Sequence, residues 1–291
     1  MTRMLKTALN TLVRFYLRHS PVTDGKQRLL AWTRDYILPG EPSVTFRTKH
    51  GFRLKVNLRN PEHQRMYFYG EHDERYEINN LVKILQPGDT CWDIGGNIGF
   101  YTCLFATLVG EKGRVIAFEP ISVTGDFLSE NVGLNGFRHV TLKRMALGDA
   151  PGQQKVFLDL PDKAQGTVSL TTTTGAHSET IEVETIDHLA PSLPVPDFIK
   201  IDVEGYQMKV LAGGEKFFAQ HSPMIMAELR DKDRALMDAT QVFLRARGYL
   251  IYEFRKHALK RCDNILESRG RNFFMVKENS PYFSRVLRQV K

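Results

Sequence analysis

Three short runs of residues carry groups that could do chemistry together. The first is Cys91-Trp92-Asp93-Ile94-Gly95-Gly96-Asn97-Ile98-Gly99-Phe100-Tyr101, which continues an apolar strand and opens a helical pattern. Glycines at such a junction permit a tight turn and a close approach of backbone to ligand. The spacing is not that of a dinucleotide fingerprint, because Asn97 stands where the middle glycine of G-x-G-x-x-G would lie, and the Gly-Lys-Ser/Thr ending of a phosphate loop is missing. It reads D-x-G-x-N-x-G. S-adenosylmethionine suits it: that molecule has no pyrophosphate to seat on the helix N-terminus, but it has an amino-acid end that Asp93 can help hold, directly or through water.

The second run ends the next apolar strand with Glu119-Pro120. A carboxylate there can accept hydrogen bonds from both hydroxyls of a ribose, a device that nicotinamide enzymes share. The third run is Phe198-Ile199-Lys200-Ile201-Asp202-Val203-Glu204-Gly205, an apolar strand that closes on two carboxylates and a glycine. A hydroxyl that accepts a methyl group must lose its proton, so Asp202 or Glu204 is a candidate general base. Alternatively, Asp202 caps the helix that begins near Tyr206. Glu228, at the end of the following strand, is a weaker third candidate. Three carboxylates could bind a divalent metal, but no ligand spacing calls for one, and none is expected. Among the nine histidines no H-x-x-x-H pair occurs, and His139 and His188 read as structural. Tyr67, Tyr69, His72 and Tyr76 could line a substrate mouth or simply pack.

These runs need strands that end side by side. From Cys91 onward the pattern alternates strand 91–94, helix 100–108, strand 114–118, helix 122–134 with Ser122 as a cap, and strand 139–145. It resumes with strand 198–203, helix 207–219, strand 224–229, helix 235–247 and strands 249–254 and 273–277, with only a polar loop over 256–270. This order predicts a doubly wound parallel sheet of about seven strands with right-handed crossovers. In an order 3-2-1-4-5 the strand of Asp202 lies beside that of Asp93, at the switch point where ligands bind. Residues 151–186 interrupt the alternation, and Val156–Leu158, Val168–Leu170 and Ile181–Val183 predict a small antiparallel insertion. Upstream, residues 1–70 read as an extension of two helices (the second over 24–38) and a β-hairpin over 43–58; residues 71–291 form the main domain, with a helix over 74–85. In the first helix Leu5, Leu9, Leu12, Val13 and Tyr16 share one face, and Arg3, Lys6, Asn10, Arg14 and Arg18 the other. The apolar face is expected to pack on the domain and the basic face to be solvated; the other reading is a helix lying on a membrane surface.

The net charge of +7 sits at the ends: residues 1–40 carry +5 and residues 271–291 carry +4, leaving −2 for the rest. Nucleic-acid enzymes place positive charge at the cleft, so a nucleic-acid partner is not expected. The three cysteines, with Cys91 and Cys103 in apolar runs, fit buried residues and a reducing compartment. The absence of an apolar signal segment and of a spanning window points to a cytoplasmic protein.

Taken together, the motifs resemble the FkbM family of methyltransferases over about residues 70–230. The resemblance rests on Pro87-Gly88-Asp89, Asp93 through Gly99 with Tyr101-Thr102, Val115 through Pro120, Asn131 with Asn135, Ala146-Leu147-Gly148-Asp149, and Ile199 through Gly205. Gly96 stands where alanine is usual. The resemblance implies a class I methyltransferase Rossmann-like fold, S-adenosylmethionine as methyl donor, and methylation of a hydroxyl on a glycan, lipid-linked sugar or secondary metabolite. It also implies that Met145 and Ala146 lie near the adenine. The sequence-stretch Asp93, Gly95, Gly96, Asn97, Gly99 and Glu119 would complete the cofactor set. The alternatives are an RNA or protein methyltransferase and, less well matched, an NAD-dependent oxidoreductase.

Overall fold

In the computed structural model, described for residues 3–22, 24–158, 177–229 and 234–290, the chain separates into two compact units, one before and one from Glu74. The first contains α1 (Arg3–His19), α2 (Lys26–Ile37), a hairpin of β1 (Ser43–Arg47) and β2 (Arg53–Asn57), and α3 (Pro61–Tyr69). Helix α3 departs from the sequence reading, although its signals are local: Asn60 accepts from the Glu62 amide at 2.8 Å, Pro61 occupies the first helical position, and Gly70 ends it at φ 76°. Tyr67 and Tyr69 lie on this helix and are buried.

Helix α1 is rotated about its axis from the expected orientation, so that of the expected apolar face Val13 alone is buried. Asn10, Val13 and Leu17 are buried, while Leu5, Leu12 and Tyr16 are exposed. The cause is the C-terminal end of α3, whose last carbonyls lack helical partners. Arg18 donates to Tyr67 O at 2.6 Å and Phe68 O at 3.3 Å, and to Arg47 O at 3.1 Å. Arg14 lies 4.0 Å from the Tyr67 ring centroid and donates to its hydroxyl, which in turn donates to Asn10. Burial, with Arg14 nearby, lowers the Arg18 guanidinium to about 10, still fully charged at neutral pH.

The second unit begins with α4 (Arg75–Ile84) and then winds β3 (Thr90–Ile94), α5 (Phe100–Val109), β4 (Arg114–Phe118), α6 (Ser122–Leu134) and β5 (Val140–Lys143). A three-stranded sheet follows, from β6 (Ala146–Leu147), β7 (Gly152–Leu158) and β8 (His177–Glu184). It is mixed rather than antiparallel throughout, because β6 runs parallel to β8. Val168–Leu170, expected as a strand, lies outside the described residues. The chain continues through α7 (Ile186–Leu189), β9 (Phe198–Ile201), α8 (Gln207–Ala212), α9 (Glu215–Gln220), β10 (Met224–Glu228), α10 (Arg234–Ala246), β11 (Tyr249–Arg255), β12 (Ala258–Arg261), β13 (Asn272–Lys277) and α11 (Phe283–Leu287).

The main sheet has the order β12-β11-β13-β10-β9-β3-β4-β5. Strands β5, β4, β3, β9 and β10 are parallel, and β13, β11 and β12 close the edge antiparallel. This is the expected class I arrangement with one more strand, β12, in place of the polar loop. The expected helix over 207–219 is two helices, broken at Gly213-Gly214, where a Cβ on Gly213 would lie 1.9 Å from Gly148 O. Ser122 is not a cap: Ile121 precedes the helix, and Ser122 bonds Glu179 instead. Trp92, Ile94, Ile116, Phe118, Ile199, Ile201 and Ile225 form the buried centre of the sheet, as continuous apolar runs in a parallel sheet require. All three cysteines are buried.

Candidate active site

From β3 the sheet continues to β4 on one side and from β9 to β10 on the other, so the segments leaving the adjacent carboxyl ends of β3 and β9 part at the switch point. A cleft of about 730 Å³, counted out to its open mouth, lies there. Its walls include Gly95, Asn97, Glu119, Met145, Ala146, Asp202 and Glu204, together with Phe118, Ile121, Thr124, Leu147 and Val203. Asp93, Gly96 and Gly99 are not among the lining residues.

The glycines divide by function. Gly95 (φ 86°) has no room for a side chain, since a Cβ would sit 1.9 Å from Asp202 O. Its absence of a side chain lets the β3 loop meet the end of β9. The loop is tied to β4 as well: the Gly95 and Gly96 amides donate to Phe118 O at 2.9 and 3.0 Å. At Gly96 and Gly99 the neighbour is Leu128 of α6, 2.6 and 3.0 Å from where a Cβ would be, so these two admit helix packing. Asn97 (φ 49°) and Glu204 (φ 46°) both hold left-handed backbone without being glycine, a strained conformation that collects at functional sites.

Glu119 is buried at the end of β4. Its carboxylate accepts from the Asn97 amide at 2.8 Å, the Ile121 amide at 3.0 Å and Thr124 Oγ1 at 2.7 Å. Burial pushes its carboxyl upward, and these three donors oppose that shift. A carboxylate has about four acceptor sites, so one remains for a ligand hydroxyl. Phe118, Ile121 and Leu147 supply apolar wall on either side.

The other end of the cleft is organised by a residue that the motif reading passed over. Lys200 is 3% exposed, in an otherwise apolar strand. Its Nζ lies 3.0 Å from Asp202 Oδ2, 3.7 Å from Asp93 Oδ1 and 4.9 Å from the centroid of the Tyr101 ring. Burial acts to lower its pKa, but Asp202 and Asp93 prevail and raise it, so the ammonium stays charged. Asp93 is entirely buried and accepts from Thr102 Oγ1 at 2.6 Å; burial raises its carboxyl against the pull of Lys200 and Thr102. Asp93 is thus placed beneath the cleft wall rather than on it. The signal for Lys200 was the charge itself, since a lysine in a doubly buried strand needs a partner.

Asp202 is not a helix cap: α8 starts after Tyr206, with no side-chain cap. Ligand atoms of Asp202, Glu204 and Glu228 lie within 4.8 Å of one another. Burial, then Asp202, raises the Glu228 carboxyl, while Arg271 donates to it at 2.7 and 3.0 Å. Behind them Tyr101 donates to Glu74 at 2.6 Å, as does Asn272. His139 is buried against Ala106 O, and His188 is exposed beside Glu184; neither lines the cleft.

The family model described as "Methyltransferase FkbM domain" matches residues 93–251, more than half of the chain. The hexuronic acid methyltransferase AglP of Haloferax volcanii is 35% identical over 142 residues, which cover 48% of this chain and 56% of that protein. The 31-O-demethyl-FK506 methyltransferase FkbM of Streptomyces tacrolimicus is 30% identical over 200 residues, covering 57% of this chain and 75% of that one. The chain therefore spans little more than half the length of the first of these relatives. Among solved structures, a methyltransferase FkbM from Methylobacillus flagellatus aligns over 94% of this chain and 60% of that one, at 17% identity and a TM-score of 0.47.

Proposed function

From a chain that belongs to the FkbM-domain methyltransferase family, we propose an S-adenosylmethionine-dependent O-methyltransferase that acts on a hydroxyl of a glycan, lipid-linked sugar or secondary metabolite. The chain carries the methyltransferase FkbM domain; the activity, the donor, the acceptor class and the residue roles are the proposal. The observation that carries it is the polarity of the cleft. The lining combines Glu119 and the apolar Phe118, Ile121 and Leu147 with the carboxylates Asp202 and Glu204, which Glu228 approaches within 4.8 Å.

That polarity fits the donor, whose adenosine wants an apolar slot with a ribose acceptor and whose sulfonium is positive. When bound, it would supply the methyl group to be transferred. Glu119 would accept from the ribose, with Met145 and Ala146 beside the adenine. Gly95 and Asn97 would shape the turn around the ligand, while Gly96 and Gly99 act through the packing of α6. Asp93 would act through Lys200 rather than by touching the ligand. Asp202 would take the acceptor's proton, held as a carboxylate by Lys200, and Glu204 would share the acidic end; positioning supplies much of the rest. The names of the two relatives specify a hexuronic acid and a demethylated FK506 as their acceptors, which supports a small-molecule acceptor here.

Calorimetric titration with S-adenosylhomocysteine, with NAD in parallel, tests the donor. Binding of the first alone in the micromolar range is the expected result. Binding of NAD alone would overturn the proposal.

A further inference from the structure

Helices α1 and α2 present apolar side chains to water in a regular array. On α1, Met4, Ala8, Leu12 and Phe15 recur at helical steps on one exposed face, flanked by Leu5 and Tyr16. Leu12 is 66% exposed and Phe15 64%. On α2, Trp32 and Tyr36 lie one turn apart and are 82% and 72% exposed. Single exposed apolar residues are ordinary, but a continuous helical stripe marks an interaction surface.

The charge around this stripe indicates what covers it. Residues 1–40 carry +5. Arg14 and Arg18 are held by a phenol, a ring face and main-chain carbonyls, not by carboxylates, so their charge stays uncompensated. Contact between two copies through this face would oppose two such basic ends. An anionic bilayer supplies the opposite sign. It also supplies the boundary at which Trp and Tyr rings settle, between headgroups and acyl chains.

We infer that the exposed face of α1, with Trp32 and Tyr36 of α2, docks on an anionic phospholipid surface. The helices lie in the interfacial plane, with the apolar stripe inserted and the exposed Arg28, one turn before Trp32, against the headgroups. Among the described residues no helix is long and apolar enough to cross a membrane, so this contact is made from one side.

The two tryptophans provide the assay. Trp92 is fully buried in the main sheet, whereas Trp32 is exposed, so a vesicle-induced change in emission reports on α2. The full chain is titrated with phosphatidylcholine vesicles with and without phosphatidylglycerol. We expect co-sedimentation and a blue shift with the anionic vesicles only, both reduced several-fold at high salt. Trp32→Phe should remove the shift while the protein still sediments. The double variant Leu12→Glu, Phe15→Glu changes only exposed positions and should lower partitioning about ten-fold or more, with unchanged circular dichroism. Three results would each overturn the inference: no sedimentation with anionic vesicles, unchanged partitioning of the double variant, or a blue shift that appears on concentrating the protein without lipid as it dimerises.

Discussion

Replacing Lys200 with methionine keeps most of the buried stem and deletes the ammonium between two carboxylates. Asp202 is partly exposed and can rehydrate; Asp93 cannot, and is left with Thr102 as its hydrogen-bond donor at 2.6 Å. Breaking a buried ion pair from one side costs about 3–5 kcal/mol. The variant has one escape, which is to protonate Asp93. Burial already raises that carboxyl, and Lys200 is the largest influence holding it down. The variant's folded state then binds a proton that the unfolded chain, with an ordinary carboxyl near about 3.9, has released. Folded-state proton uptake makes stability fall as pH rises from the unfolded value through the raised folded one. We therefore expect a loss of about 3 kcal/mol at pH 8 and a clearly smaller loss at pH 5. Urea unfolding read on buried Trp92 would show a midpoint lower by about 1 M at pH 8, for a slope of about 3 kcal/mol/M. Adding Asp93→Asn to the variant should recover part of the loss, with a coupling above about 1 kcal/mol. The reasoning fails if Lys200→Met unfolds at the unaltered midpoint, or if its deficit is the same at both pH values.

Further predictions concern the cleft. Glu119→Ala should weaken S-adenosylhomocysteine binding by about ten-fold or more, since hydrogen bonds to a charged group contribute about 1.5–3 kcal/mol; equal affinity by calorimetry would remove the ribose role. Asp202→Asn should depress kcat far more than it raises the donor KM, and unchanged turnover would exclude Asp202 as base. Gly95→Ala should abolish donor binding and lower the thermal midpoint, because both φ and the Asp202 main chain forbid a side chain. Gly96→Ala crowds only the end of the flexible Leu128 side chain, with Thr102 and Ala117 at 3.4 and 3.7 Å, and should stay within about 1 kcal/mol of the parent in the same melt; equal damage from both would contradict the division of the glycines.

The sheet was legible because parallel strands buried on both faces read as nearly continuous apolar runs, and the runs at 91–94, 114–118, 198–201 and 224–228 each carry a single charged residue, Asp93, Arg114, Lys200 and Glu228. Strand β12 escaped notice because Ala258-Leu259-Lys260-Arg261 is an edge strand with a charged half. The 207–220 break lay hidden in a continuous apolar period, although Gly213-Gly214 was there to be read. The orientation of α1 was legible only at Val13. Its hydrophobic periodicity is real, but carbonyls at the end of α3, some fifty residues away, draw its arginines inward. At the site, the sequence brought Gly95, Asn97, Glu119, Met145, Ala146, Asp202 and Glu204 to one cleft, but whether a motif glycine meets the neighbouring strand end or a helix depends on the main chain of Asp202 and on Leu128, neither of which its own neighbours in sequence reveal.

The small mixed sheet has its two feet pinned together. Ala146 pairs with Val183, the Gly148 amide donates to Glu184 O at 2.8 Å, and Gly152 also faces Val183. The hairpin of β7 and β8 therefore enters at Gly152 and leaves at Val183 in one place, beside the cleft wall formed by Met145 and Ala146. Closing a loop of twice the length costs only about 0.6 kcal/mol more. The hairpin can therefore change length almost independently of the main sheet, as an exchangeable cassette beside the cleft.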